Sequence, residues 1–270
     1  MKTQKEKGER FRALHERKQA FLIPNPWDVG TAVVLEKLGF EALATTSAGF
    51  AFSLGQEDNK VDLRLLMQHV TALAAASDLP VSVDLGNGFG NEPETVEETI
   101  RLTAAAGAVG GSVEDYTGEE SRPFYGHEQA AERVRAAAEA GRSLPFPFML
   151  TARAENYLYG KPDLSDTIRR LQRYQEAGAD VLYAPGITTR EQIVEVVRAV
   201  DRPVNVLVGL PGLTLNLQEL SEIGVRRVSV GSGLCRAAMG AFVQAAREMR
   251  EKGTFTWTTQ AVPSIGGLLK

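Results

Sequence analysis

Eight short apolar runs punctuate this chain, and each ends at or beside a polar residue before a helical stretch begins. The runs read as strands over 20–25, 41–45, 80–84, 110–114, 148–153, 180–184, 203–207 and 226–230. They are mostly continuous rather than alternating, and rich in Val, Leu and Ala, as strands covered on both faces of a parallel sheet must be. Helices are predicted over 28–38, 62–76, 94–106, 128–140, 164–177, 189–199, 215–222 and 234–250. In "LEKLGFEAL", "AAAGAVGGS", "YQEAGADVL" and "LSEIGVRRV" an amphipathic helix runs into a glycine that can take the left-handed cap conformation, and a strand soon follows. Eight β-then-α units predict an α/β fold, a (β/α)8 TIM barrel, with a doubly wound open sheet as the alternative.

The length of 270 residues suits one such barrel, which runs to about 250 residues. A single barrel domain over 1–270 is therefore expected, with an N-terminal helix and a C-terminal oligomerisation segment. The formal net charge of −4 and the scattered basic residues give no sign of a nucleic-acid or membrane surface. The one basic cluster, Lys2 to Lys18, also carries Glu6, Glu9 and Glu16 and reads as a solvated amphipathic helix. Cys235 is the single cysteine, so no internal disulfide can form, which fits a reducing cytoplasm. There is no apolar signal core and no stretch of about 18 apolar residues that could span a membrane.

In a closed parallel barrel the strand ends near Asn25, Thr45, Asp84, Glu114, Arg153, Tyr183, Asn205 and Ser229 converge on one rim, where such folds build active sites. Asp84 and Glu114 could hold a hard cation, and Arg153 a carboxylate. Mg²⁺ takes oxygen ligands and keeps several waters, so one or two carboxylates suffice. With only His15, His69 and His127 and no cysteine pair, the chain argues against zinc. Blander readings stand beside these. Asp84 could be a solvated strand end, Glu114 with Asp115 a surface pair, and Arg153 half of a structural ion pair with a neighbour such as Glu155. Asn205 and Tyr183 could simply tie barrel loops together, and Glu155 and Asn156 sit where they could touch a substrate. The long polar loop from Tyr116 to His127 reads as a lid, with Tyr125 placed to close over the site and His127 a weak acid–base candidate. "GNGFGN" lacks the lysine of a phosphate-binding loop, and "SVGSG" (229–233) opens a helix at a place where barrels often bind phosphate.

The order and spacing of "NPWDVGTAVVLEKLGFEALATTSAGFAFSLGQED", "LPVSVDLGNGFGN", "GGSVEDYTGEE" and "LTARAENY" resemble the isocitrate lyase/phosphoenolpyruvate mutase superfamily from about residue 20 to residue 235. The resemblance implies a TIM barrel, usually tetrameric, with its eighth helix swapped between subunits. It also implies a Mg²⁺-dependent site for small 2-oxo acids, where a C–C or P–C bond next to an enolate is made or broken. It carries specific roles to this sequence. Asp58 matches the aspartate of the "SLG-x-x-D" loop. Asp84 matches the first aspartate of "D-x-D-x-G-x-G" near the metal, and Glu114 a carboxylate behind the metal's own ligands. Arg153 matches the arginine that clamps the substrate carboxylate. Thr46, Ser47 and Ala48 match the segment that holds the oxo acid, and Trp27 a tryptophan that packs against it.

The departures bear on the reaction. Gly86 replaces the family's second aspartate, Pro185 replaces a glutamate after strand six, and Tyr125 stands where the lyases carry a cysteine base. Cys235, at the start of the last helix, has no evident claim to that role. The favoured expectation is a Mg²⁺-dependent lyase or decarboxylase acting on an oxaloacetate-like 2-oxo acid, with Asp84 and Glu114 at the metal, Asp58 orienting its waters, and Arg153, residues 46–48, Glu155 and Asn205 around the substrate. Phosphonopyruvate hydrolase or mutase chemistry is one alternative, and non-catalytic binding of a 2-oxo acid the other. The partners expected are the small substrate and further copies of the chain, as a dimer or tetramer.

Overall fold

The computed structural model describes residues 1–58, 60–261 and 265–269. All eight expected strands form: β1 (Phe21–Ile23), β2 (Leu43–Ala44), β3 (Val81–Asp84), β4 (Gly110–Glu114), β5 (Met149–Arg153), β6 (Val181–Tyr183), β7 (Val204–Leu207) and β8 (Arg227–Ser229). They pair in parallel in the order β1-β8-β7-β6-β5-β4-β3-β2, an unbroken sequential ring with no switch point, which sets aside the open doubly wound sheet. The ring is nearly closed. Its last seam, between β1 and β2, is a single backbone hydrogen bond from Ala44 N to Pro24 O of 3.1 Å. This seam is thin because β2 lasts only two residues before the chain turns into a helix.

The helices are α1 (Gln4–Glu16), α2 (Val29–Lys37), α3 (Ser47–Ser53), α4 (Leu63–Ala76), α5 (Pro93–Ala105), α6 (His127–Arg142), α7 (Leu164–Ala177), α8 (Arg190–Ala199), α9 (Leu217–Glu222) and α10 (Gly233–Lys252). Side-chain caps start several of them after the strand ends. Asp28 accepts from Thr31 N at 2.7 Å, Asp62 from Leu65 N at 2.8 Å and Asp163 from Asp166 N at 2.9 Å. At the other end of α7, Gly178 takes φ 109°, the left-handed cap that turns the chain into β6. Between strands and helices, Val83, Leu150, Leu182, Val206 and Val228 pack against helix residues such as Ile100, Val134 and Leu171.

Two expectations about elements change. No helix is predicted between 38 and 62, yet residues 46–48 enter α3, which Thr46 caps by accepting from Gly49 N at 3.2 Å. And α1 is not a solvated helix. Phe11 and Leu14 are fully buried, packed with Phe21, Val109 and Met149 at the starts of the strands, so α1 plugs the N-terminal mouth of the barrel. A Cβ on Gly110 would fall 2.8 Å from the Phe11 ring, so the plug needs glycine at that strand start. Lys7 is also buried, its Nζ donating to Ala74 O at 2.9 Å and Ser77 O at 2.6 Å. Charged residues on the other faces of α1 mask this narrow inward stripe.

Candidate active site

Asp84, Glu114 and Arg153 are the last residues of three adjacent strands, with Glu114 and Arg153 directly in register and Asp84 opposite Ser112. Their side chains meet. Arg153 Nη1 lies 2.8 Å from Asp84 Oδ1, Nη2 3.2 Å from Glu114 Oε2, and Nε 2.7 Å from Glu155 Oε1. Asp84 is held from the other side: Ser47 N donates to its Oδ2 at 3.2 Å, while its own backbone N–H donates to Thr45 Oγ1 at 2.9 Å. The blander readings of Asp84 and Glu114 as solvated or surface carboxylates do not describe this arrangement, since the two are drawn into a single buried cluster.

Three carboxylates share one guanidinium here. Burial, reinforced by the neighbouring acids Glu155, Asp84 and Asp115, pushes the Glu114 carboxyl well above the usual carboxylate range against the pull of Arg153. Burial likewise raises Glu155 to about 7, with Arg153 opposing and Asp115 and Asp84 adding. For Arg153 burial works against the charge, but Glu155, Glu114 and Asp84 outweigh it and the guanidinium stays ionised. Both shifts favour the protonated form of a carboxyl within the cluster, and a further cation beside it would oppose them. Glu155 is fully buried and its Oε2 has no hydrogen-bond partner among the described residues.

The cluster divides two chambers at the C-terminal mouth. Asp84 and Ser47 line both. The larger, of about 390 Å³, is also bounded by Thr46, Ala48, Asp58, Arg153, Tyr183 and Asn205. The smaller, of about 220 Å³, is bounded by Glu114, Gly86, Phe89 and Tyr116. Gly86, at φ 53°, occupies a backbone region that favours glycine, and Pro185 lines the larger chamber, so both positions of the missing family carboxylates face the mouth.

Other singled-out residues fall elsewhere. Trp27 is half-buried and does not line either chamber; it backs α3, its Cβ 3.1 Å from where a Cβ on Gly49 would sit. Asn205 lines the chamber but has both amide ends engaged, donating to Ser229 Oγ and accepting from Arg227 Nε, each at 2.9 Å. Asn156 is buried and accepts from Thr167 Oγ1 at 2.9 Å. Asp115 faces away from Glu114, pairing with Arg170 at 2.9 Å and accepting from Tyr174 OH at 2.6 Å, which makes it a structural anchor. Tyr125 does not close over the site: it is fully buried, its hydroxyl donating to Asn91 Oδ1 at 2.6 Å under the Arg133 guanidinium. The same loop instead presents Tyr116 to the smaller chamber, stacked on Tyr159 with ring centroids 3.6 Å apart. His127 is tied to Asp166 at 2.7 Å, and burial raises the Cys235 thiol above its usual range.

One residue escaped the sequence reading. Arg227 lies in the barrel interior, 5% exposed, and lines the larger chamber. The signal was available: Arg227 is two residues before Ser229 and so shares its inward face.

Among the described residues, no three acidic, histidine or cysteine side chains form a ready metal cage. The donor set nonetheless fits a hard divalent ion that keeps its waters: only oxygens are offered, in excess of positive charge, and Glu155 has an unmatched oxygen.

Residues 11–250 match the family described as phosphoenolpyruvate phosphomutase. The chain belongs to that family. Family members are lyases and mutases, so this chain is an enzyme of that superfamily. A crystal structure of a Burkholderia cenocepacia J2315 protein, assigned provisionally as a lyase/mutase, is 60% identical with a TM-score of 0.95, over 98% of this chain and 95% of that one. The 2-methylisocitrate lyase of Aeropyrum pernix is 28% identical over 90% of this chain and 80% of its own. An oxaloacetate decarboxylase from a Bradyrhizobium species is 30% identical over 76% of this chain and 70% of its own. A phosphonopyruvate hydrolase crystallised with oxalate and Mg²⁺ shares the fold at 23% identity, with a TM-score of 0.85 over 99% of this chain and 94% of that one.

Proposed function

We propose that this family member is a Mg²⁺-dependent lyase that decarboxylates or cleaves a small 2-oxo acid of the oxaloacetate type. The observation that carries the reading is the cluster of Asp84, Glu114 and Glu155 around Arg153, short of positive charge and opening on a chamber of small-molecule size. Asp84 and Glu114 would hold the ion, with Asp58 at the chamber rim oriented towards its waters. When bound, the ion supplies positive charge against which the keto oxygen of a 2-oxo acid can accumulate negative charge.

The chain's own residues do the rest. Arg153 donates one hydrogen bond each to Glu155 and Asp84, pairs by charge with Glu114, and has further N–H groups to offer a substrate carboxylate. Ser47 holds Asp84 in place through its backbone N–H. In decarboxylation of oxaloacetate the bond to the departing carboxylate breaks, CO₂ leaves, the electron pair passes into the keto group, and the resulting enolate takes a proton from water at its carbon to give pyruvate. That step needs no side-chain base, which accords with Tyr125 standing buried at the lyase cysteine's position and with Cys235 buried elsewhere. The oxaloacetate decarboxylase relative supports this choice of substrate.

Purified protein incubated with oxaloacetate and Mg²⁺ should release pyruvate faster than Mg²⁺ alone, measured through a coupled dehydrogenase. A rate equal to the metal-only background would reject the reading. The family's description as a phosphomutase favours a second reading, cleavage or rearrangement of a P–C bond, and phosphorus NMR of phosphonopyruvate incubations would reveal it.

A further inference from the structure

The interior of this barrel is polar where most are packed with branched apolar side chains. Ser82, Thr151, Asn205 and Arg227 are all buried there. Arg227 crosses the interior from β8 to β5: its Nε donates to Asn205 Oδ1 and its Nη2 to Thr151 Oγ1, each at 2.9 Å. Its Nη1 has no partner among the described residues. The contrast with Arg153 is chemical. Arg153 is matched by three carboxylates, whereas the hydrogen-bond partners of Arg227 are a neutral amide and a neutral hydroxyl. Burial, opposed by Tyr183 and aided by Arg153, brings the Arg227 guanidinium down to about 10. On its other side His15, held near 3 by burial and by Arg227 itself, is neutral at ordinary pH and supplies no negative charge. A buried cation without a counter-ion is costly to keep, and an anion is what would relieve it.

The register places the two arginines in one row of the wall. Arg153, Tyr183, Asn205 and Arg227 are successive lateral partners on β5, β6, β7 and β8, and both guanidiniums line the same chamber. We propose that Arg227 forms a second anion subsite at the floor of this chamber, and that it takes the distal carboxylate of a dicarboxylic substrate whose oxo-acid head sits at the Asp84–Arg153 cluster. This rests on the reading of that cluster as the oxo-acid site. It makes Arg227 the residue that distinguishes a 2-oxo dicarboxylate from a 2-oxo monocarboxylate.

L-Lactate and L-malate test this, since they differ only by the distal carboxylate. Calorimetry with Mg²⁺ present should show malate binding at least about 10-fold tighter to the native protein, the gain typical of a charge-assisted bidentate contact. Arg227→Met should erase that preference and leave lactate affinity unchanged, and Arg227→Lys should keep part of it. The proposal is overturned if the native protein shows no preference for malate, if Arg227→Met retains it, or if Arg227→Met weakens both ligands equally, as a purely structural tie between β5 and β7 would. Should Arg227→Met not fold, the native ratio and Arg227→Lys decide by the same criteria. Failure of the underlying site reading looks different: lactate affinity would then be indifferent to Mg²⁺ and to Asp84→Ala, whatever malate does.

Discussion

Asp84 has two jobs that a substitution separates. It anchors Arg153 at 2.8 Å, and with Glu114 it offers the oxygens for the proposed ion. Asp84→Ala should lower Mg²⁺-dependent turnover by at least about 100-fold while the barrel still folds, because the residue is partly exposed at a strand end. Pyruvate release and circular dichroism on the same sample check both halves. Arg153→Met should behave in the opposite way. It strips the buried Glu114 and Glu155, along with the partly exposed Asp84, of their common partner, and leaving buried charges unpaired costs about 3–5 kcal/mol. Urea unfolding should show that loss even where activity is not measured. A variant as stable as the native protein would mean that the carboxylates simply take up protons, without strain.

At the scale of elements, α1 turns a buried histidine into an acid-sensitive plug. His15 Nδ1 donates to Phe11 O at 2.8 Å, and its ring meets Phe11 and Phe21 edge-on. Burial lowers its pKa from 6.5 to about 3. The unfolded chain therefore binds a proton below pH 6.5 that the folded chain refuses, so stability is full above that pH and declines as pH falls towards 3, by about 1.4 kcal/mol per unit at most. Thermal melts from pH 7 to pH 5 should reveal this decline, and His15→Phe, which keeps the aromatic contacts, should remove that part of it. The same helix shows what was legible beforehand. The strands and most helices could be placed from sequence because continuous apolar runs and capping residues are local signals. The burial of α1 was hidden because its inward stripe includes the polar residues Lys7 and His15, and the carbonyls that receive Lys7 lie about 70 residues along the chain. The short α3 was hidden because "TSAGF" has too few residues to show a period. Asp84, Glu114 and Arg153 were legible as strand ends, but their saturation of one another was not, since it depends on the register of three strands. Arg226 and Arg227 are neighbours in sequence; only the phase of β8 buries the second.

For the whole molecule, α10 raises the question of what covers it. It runs 20 residues, and Cys235 is the buried residue among them. Met239, Phe242 and Met249 are exposed along it, Phe242 to 66%, and Phe255 follows at 62%. A row of large apolar groups in water on this scale marks an interface. We expect the occupant to be a second copy of the chain, because a helix whose buried residue lies in its first turn can lie on a neighbouring barrel while that neighbour's helix lies on the first. Such an exchange is self-complementary and closes as a symmetric dimer or a larger even assembly. Light scattering at micromolar concentration should therefore give a mass of at least two chains. Phe242→Glu places a charge in the middle of the buried patch and should shift the mass towards one chain and lower the melting temperature. The start of α10 offers a route from assembly to the proposed site, since Cys235 lies beside Gly49 of α3, the helix whose Ser47 N–H holds Asp84. A native protein that stays a monomer at these concentrations would show that α10 is content in water, and would remove this route from assembly to active site.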